Sequence, residues 1–277
     1  MENFIICQKL NYAIETTDKK NTVDTVSAHI KDKMLSAGFI EAHAKDKKID
    51  FVFSIGGDGT MLHSMRSYLY KSSIIVGVNA GNIGFLTPYS LDDILSSDVI
   101  SLIKNNPRLE KRSILSHTFS QNKGYAVNDY AITATGPNDM VDFSVEIEHR
   151  GARSRAGRYR ANALVISGPC GSTAYNMNAG GAIIDPVVKC MQIVMIAPTT
   201  LGARSLIISK DSKIHVTFHS PSKIFADGIL IEDVNFTDNL TFTVSLLQRE
   251  SNIVVPQDWN FFSVLAKKLH WNNGKDV

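Results

Sequence analysis

The stretch Phe51-Val-Phe-Ser-Ile-Gly-Gly-Asp-Gly-Thr-Met-Leu62 decides the fold. Phe51 to Ile55 form a short, mostly apolar run without polar alternation, the pattern of a strand buried on both faces. Gly56-Gly57 end it. Met61, Leu62, Met65, Tyr68 and Leu69 then recur at the spacing of one helix face. A buried strand that turns on glycines into a helix is the opening half of a βαβ unit. The same alternation extends outward. Phe4-Ile5-Ile6-Cys7 is a strand-length run, and Val23, Val26, Ile30 and Met34 mark a helix. Ile74 to Val78 form a third strand, closed by the loop Asn79-Ala-Gly-Asn-Ile-Gly84, and Leu91 to Ile103 again show helical spacing. Strands and helices in this order predict a parallel sheet covered by helices, a Rossmann-like α/β domain.

From about residue 113 the period changes. Phe143, Val145 and Ile147 alternate with polar residues, as do Ile214, Val216 and Phe218, and Leu240, Phe242, Val244 and Leu246. Period-2 runs separated by turn residues predict a mostly antiparallel β-sandwich. Pro107 and Leu109-Glu-Lys-Arg112 read as a linker, and Asn260 to Trp271 as a terminal amphipathic helix. The expected division is an N-terminal α/β domain over 1–112, a β-sandwich domain over 113–255 and a terminal helix within 256–277.

The composition suits such a protein. The chain has 277 residues, 44% hydrophobic and 20% charged, enough to bury a sizeable core. Its 29 basic and 27 acidic side chains nearly cancel, which argues against a general nucleic-acid binder. No apolar run approaches the ~18 residues of a membrane span, and the start MENFIICQKL lacks the pattern of a secretory signal. Cys7, Cys170 and Cys190 are too scattered for a disulfide framework or a zinc cluster, so a reduced, cytoplasmic setting is expected.

Four motifs carry chemistry. In Gly56-Gly-Asp-Gly-Thr60, glycines let the backbone approach a bound group, and the amides of Gly59 and Thr60 near a helix N-terminus favour phosphate. An aspartate among phosphate-binding amides makes sense if Asp58 accepts a proton from an attacking hydroxyl or helps hold a metal, the needs of phosphoryl transfer. No GxxxxGK[ST] and no GxGxxG is present. The loop from Asn79 to Leu86, at another strand end, would face the same crevice in a doubly wound sheet. Asn128-Asp129 pairs an amide with a carboxylate, suited to a ribose or a purine edge but equally to an Asx turn. Last, Asn162 to Asn176 runs from an apolar strand into Gly-Pro-Cys-Gly-Ser-Thr-Ala-Tyr, followed by Ala179-Gly-Gly-Ala-Ile-Ile184. Small residues leave room for a planar ligand, Ser172 and Thr173 offer hydroxyls, and Tyr175 offers a ring. Cys170 reads as a small space-filler. Arg150, Arg153, Arg155, Arg158 and Arg160 form a basic hairpin.

Taken together, GGDGT, NxGxxGFL, the Asn-acid pair, GPCGSTAYN with AGGAI, and the tail from Trp259 to Trp271 resemble a bacterial-type NAD kinase, within the 6-phosphofructokinase-like group. The resemblance spans about residue 50 to 271. It implies transfer of the γ-phosphoryl of ATP, with Mg²⁺ or another divalent metal, to the 2′-hydroxyl of the adenosine ribose of NAD, giving NADP. It implies Asp58 as the base, with Gly56, Gly57, Gly59 and Thr60 on phosphate. Gly59, Asn128, Asp129, Arg160, Asn162, Thr173, Ala174, Tyr175 and Asn178 become the NAD-binding set, with Arg160 facing a phosphate. No metal ligand is assigned from the chain alone. A homo-oligomer, dimer or tetramer, is implied, with the terminal helix packing back on the first domain.

The chain departs from that pattern. Asn162 stands where the family usually has an aspartate, Asp129 replaces a glutamate, Thr199 a histidine, Ser205 a proline, and Cys170 a serine or threonine. Two alternatives therefore stay open from the sequence: a weakened member that binds or senses NAD(P)-like nucleotides, and a lipid or other small-molecule kinase sharing only GGDGT.

Overall fold

The computed structural model of the chain describes residues 2–8, 17–71, 73–81, 84–136, 139–235 and 240–271. Two compact units form, one from 1–111 with 251–277 and one from 112–250. In chain order the first unit contributes β1 (Asn3–Gln8), α1 (Thr17–Ser36), β2 (Ile40–Glu41), β3 (Phe51–Gly56), α2 (Asp58–Ser67), β4 (Ile74–Asn79), β5 (Tyr89–Ser90), α3 (Leu91–Ser96) and α4 (Val99–Lys104). β6 (Arg108–Phe119) leads into the second unit. There follow β7 (Asn122–Ala126), β8 (Asp129–Ala134), β9 (Val141–His149), β10 (Ala152–Ala161), β11 (Ala163–Ser167), α5 (Tyr175–Asn178), β12 (Cys190–Ile196), β13 (Leu206–Ser209), β14 (Ser212–Phe218), β15 (Ser222–Ala226), β16 (Ile229–Val234) and β17 (Thr241–Val255). α6 (Phe261–Lys268) closes the described chain in the first unit.

The first unit is built on parallel strands in the order β2-β1-β3-β4, and the end of β17 lies parallel to β4 through Asn252 to Val254. Phe51, Phe53, Ile55, Val76 and Val78 share one core with Val23, Val26 and Ile30 of α1, Ile94 of α3 and Val99 of α4. Ser54 points the other way, as alternate strand residues must, and receives a 3.0 Å hydrogen bond from Ser64 of α2. Helices thus cover both faces, which a parallel sheet of apolar strands requires.

Where one helix was expected over 91–103, two short ones form. Ser90 and Asp93 make a capping box on α3, and the Asp98 carboxylate accepts from Ile100 N–H to start α4. Aspartate competes for backbone donors better than it continues a helix, so it breaks the run. The expected linker at 109–112 is the first part of β6, and Arg112 in it is 2% exposed.

The second unit is a sandwich. One sheet runs β10-β9-β14-β17, all antiparallel, with β6 beside β17 and β7 beside β6. The other runs β13-β12-β11-β8-β15-β16. The alternating residues fall in register: Val145 opposite Val216 and Val216 opposite Phe242, Phe143 opposite Phe218, Ile147 opposite Ile214 and Ile214 opposite Val244. Their shared face meets Leu164, Ile166, Met191 and Ile193 of the other sheet in one core. Phe242 sits at its centre, stacked on His117 at 5.2 Å and edge-on to Tyr130. His117 accepts or donates a 2.9 Å bond with the Tyr130 hydroxyl, and burial pushes the imidazole below its usual range, so it is neutral.

Phe242→Ala would leave a cavity and cost about 3–5 kcal/mol. Arg155→Ala on the exposed hairpin should stay within about 0.5 kcal/mol. Urea unfolding midpoints compare the two.

Candidate active site

β3 delivers Gly56 to the carboxyl edge of the parallel sheet, Gly57 caps α2 with no side-chain bond, and Asp58, Gly59 and Thr60 form the first turn. A side chain at Gly56 would overlap the Thr60 side chain, whereas Gly57 and Gly59 face open space. Most first-turn amides lack helical partners, and although Thr60 N–H donates to Gly57 O at 3.0 Å, this end of α2 presents the remaining donors and the positive end of the helix dipole. The sequence-derived phosphate set, Gly56 to Thr60, therefore occupies one turn.

Asp58 is held rather than dangling. Its Oδ2 accepts from Phe85 N–H at 2.9 Å and its Oδ1 from Leu86 N–H at 3.0 Å. The neighbouring Gly84 is obligatory, because a Cβ there would overlap Asp58 Oδ1 and the Thr87 hydroxyl. The Asn79 side chain accepts from Gly81 N–H at 2.7 Å, an Asx turn that starts the same loop. Residues 82–83 lie outside the described chain. The two glycine loops thus meet on one carboxylate, which remains about one-third exposed and keeps lone pairs for a further donor. Lys268 Nζ of α6 lies 3.9 Å from Asp58 Oδ2.

The remaining sequence-derived residues lie in the second unit. Asn128 and Asp129 stand at the start of β8, against Ser167 at the end of β11. The loop from Gly168 closes over them: Gly168 N–H donates to Asn128 O, and a Cβ on Gly171 would overlap that carbonyl. Ser172 is consumed inside the loop, donating to Pro169 O at 2.7 Å and accepting from Ile184 N–H at 3.0 Å. Its hydroxyl, read from the sequence as a ligand contact, is fully buried and structural. Thr173 bonds Cys170 O at 3.3 Å, and Ala174 is the hinge into α5. Tyr175 is 42% exposed, and Asn178 at the end of α5 is exposed too. Arg160 and Asn162 flank the β10–β11 junction, both exposed, their backbones tied to Thr199 and Ile196. Arg158 forks onto Asp142 at 2.8 and 2.9 Å, and Arg153 pairs with Glu146 and Glu148, so these two serve the hairpin.

Sequence reasoning missed Asp227. It sits with Gly228 in the left-handed region, φ 47° and 79°, in the two-residue turn between β15 and β16. Asp-Gly between two strand runs signals such a turn, though not what its carboxylate does. That carboxylate accepts from the N–H groups of Val127, Asn128 (2.7 Å) and Asp129, while Asp227 N–H donates to Asp129 O. Asp227 therefore sets the backbone that presents Asn128 and Asp129. Asp129 is 5% exposed, and burial first, then the Asp227 charge, pushes its acid from 3.8 up to about 7.

An acid at the start of a helix among phosphate-directed amides in the first unit, and a small-residue loop in the antiparallel second unit, define a two-unit phosphotransferase. Residues 8–97 match the ATP-NAD kinase N-terminal domain and residues 127–254 the ATP-NAD kinase C-terminal domain. The chain is 31% identical to an NAD kinase of Sulfurimonas denitrificans over 95% of this chain and 93% of that protein. It is 32% identical to an NAD kinase of Buchnera aphidicola over 90% and 86%. The fold also resembles two solved structures. One is yeast NADH kinase complexed with NADH, with TM-score 0.84 and 18% identity over 100% of this chain and 89% of that one. The other is an NAD kinase from Archaeoglobus fulgidus in complex with ATP, with TM-score 0.74 and 20% identity over 98% and 99%. The chain belongs to the NAD kinase family, enzymes that phosphorylate NAD.

The raised acid of Asp129 makes stability depend on pH. Between about pH 4 and 7 the folded chain keeps a proton that the unfolded chain releases, so raising the pH through this window costs stability. Relative to Asp129→Asn, the parent should lose up to about 4 kcal/mol from pH 4 to above pH 7. Urea titrations of both proteins across that range would measure it.

Proposed function

We propose that the chain transfers the γ-phosphoryl group of ATP to the 2′-hydroxyl of the adenosine ribose of NAD, giving NADP and ADP. The geometry of Asp58 carries this reading: a fixed, partly exposed carboxylate at the first turn of α2, where amides attract phosphate. Asp58 takes the proton of the 2′-hydroxyl. That oxygen forms the new bond to the γ-phosphorus, the bond from this phosphorus to the β–γ bridging oxygen breaks, and ADP leaves with the electron pair. Gly57 and Gly59 offer backbone donors to the phosphates, and Thr60, whose N–H donates to Gly57 O at 3.0 Å, offers its hydroxyl. In the second unit, Asn128, Asp129, Thr173, Ala174 and Tyr175 hold the adenosine portion, with Asn162 and Asn178 on the dinucleotide and Arg160 toward phosphate.

Among the described residues no three His, Cys, Asp or Glu side chains gather as a metal cage. A single carboxylate at a phosphate-binding turn fits Mg²⁺ carried on the donor's phosphates, the usual arrangement for this ion. When bound there, the ion neutralises charge on the transferring phosphoryl group, and Asp58 is the chain's own candidate to touch it. Family resemblance supports a homo-oligomer as the working form. The three cysteines are free thiols, which suits a cytoplasmic setting.

Purified protein given ATP, Mg²⁺ and NAD should form NADP. Asp58→Asn should lower kcat by about 10²-fold or more, the range of a lost general base. A variant that turns over as fast as the parent would overturn the assignment.

A further inference from the structure

The last turn of α6 brings two ammonium groups, Lys267 and Lys268, to the carboxyl edge of the parallel sheet. Asn260 caps the other end, accepting from Phe262 and Ser263 N–H, and Leu265 is buried, so the helix is fixed in the first unit. Phe261 packs on Phe85 at 6.3 Å between ring centres, and the Lys268 ammonium lies 4.4 Å over that same Phe85 ring. Phe85 is also the residue whose N–H holds Asp58. Lys268 is thereby aimed at Asp58 from a rigid support, yet its contact is long, 3.9 Å, and partly exposed. Such a pair contributes little to stability and is readily exchanged for a stronger anion.

A cavity of about 370 Å³ lies along the same helix, lined by Thr87, Tyr89, Asp93, Trp259, Ser263 and Lys267 among others, with the Asp93 carboxylate engaged by Ser90 N–H at 2.7 Å. Its size falls in the range of ligand sites, about 300–1,000 Å³. At one end Thr87 adjoins Asp58, since both would be struck by a Cβ on Gly84. Thr87 is 3% exposed and its hydroxyl finds no partner among the described residues; nor does the indole N–H of Trp259, another lining residue. Buried polar atoms without partners mark where a polar ligand completes the structure. Lys267 lines the cavity, and Thr87 carries it up to Asp58, which faces Lys268.

We propose that the α6 lysines are donor-phosphate ligands: Lys268 leaves Asp58 to bind the polyphosphate chain of the nucleoside triphosphate, whose phosphates extend along this cavity past Thr87 toward Lys267. The proposal deepens the reading of Asp58 as base and rests on it, because the exchange frees that carboxylate for the acceptor hydroxyl as the donor arrives. An ammonium that trades one distant carboxylate for several phosphate oxygens gains charge-assisted hydrogen bonds.

The test is calorimetric binding of Mg–ATP, of Mg–tripolyphosphate and of NAD to the full chain and its Lys268→Met, Lys268→Arg and Lys267→Met variants. Methionine keeps the apolar stem over Phe85 and removes only the charge. Lys268→Met should weaken both polyphosphates about 10-fold while NAD stays within about 2-fold, and Lys268→Arg should recover most of the loss. Lys267→Met should weaken them by a smaller factor. A change under about 3-fold in Lys268→Met, a loss for ATP but not tripolyphosphate, or an equal loss for NAD would each overturn the proposal. These affinities are read without turnover. Asp58→Asn retaining full activity would sink the base assignment alone, whereas unchanged polyphosphate binding in Lys268→Met would sink the lysine assignment alone.

Discussion

The first unit depends on a carboxylate gripped by two backbone amides. Asp58 accepts from Phe85 and Leu86 N–H, so the turn after β3 and the loop after β4 become one body. Neither loop could do this alone. The helix start supplies the acid, and the second loop supplies two donors that would otherwise lack a partner at a sheet edge. Gly84 is the steric condition, since any side chain there would occupy the space of the carboxylate. A charge-assisted bidentate contact has strict geometry, so it fixes the side chain's rotamer as well as the loop. Phosphoryl transfer needs such a fixed acid, because the protein contributes mainly position and charge.

The second unit solves a related problem with a different aspartate. Asp227, on a two-residue turn, gathers three successive N–H groups and thereby shapes the chain that carries Asn128 and Asp129. The small residues of Gly168 to Ser172 then close on Asn128 at backbone distance. The cost is visible at Asp129, whose acid is pushed up to about 7 by burial and by its neighbour's charge. Buried like charges are tolerated at sites that need them, and here one carboxylate organises the backbone while the other lies under the closed loop.

Much of the fold was legible because burial imposes a period. Val23, Val26, Ile30 and Met34 are fully buried on α1, and the alternating triplets of β9, β14 and β17 pair in register across one sheet. The readings that failed did so where a local polar group overrode periodicity. Asp98 split one expected helix into α3 and α4, and the charged run at 109–112, where the two units do join, proved to be strand, with Arg112 buried. At the site, GGDGT was readable because glycines and an acid between strand and helix leave few structural explanations. The work of Ser172 and of Asp227 was not readable. A hydroxyl in a loop and an acid in a hairpin look alike whether they face a ligand or the backbone.

By itself the sequence determined the strand and helix alternation of the first unit, the sandwich of the second, and the family through the motifs between them. Those follow from hydrophobic period and from glycine, which act along the chain. Only the tertiary structure decided which donors hold Asp58, that a lysine some 210 positions later in the chain stands beside it, and that the turn at 227–228 shapes residues 127–129. Such contacts join residues far apart in sequence, and hydrogen bonds and charges have directions that no pattern along one chain encodes.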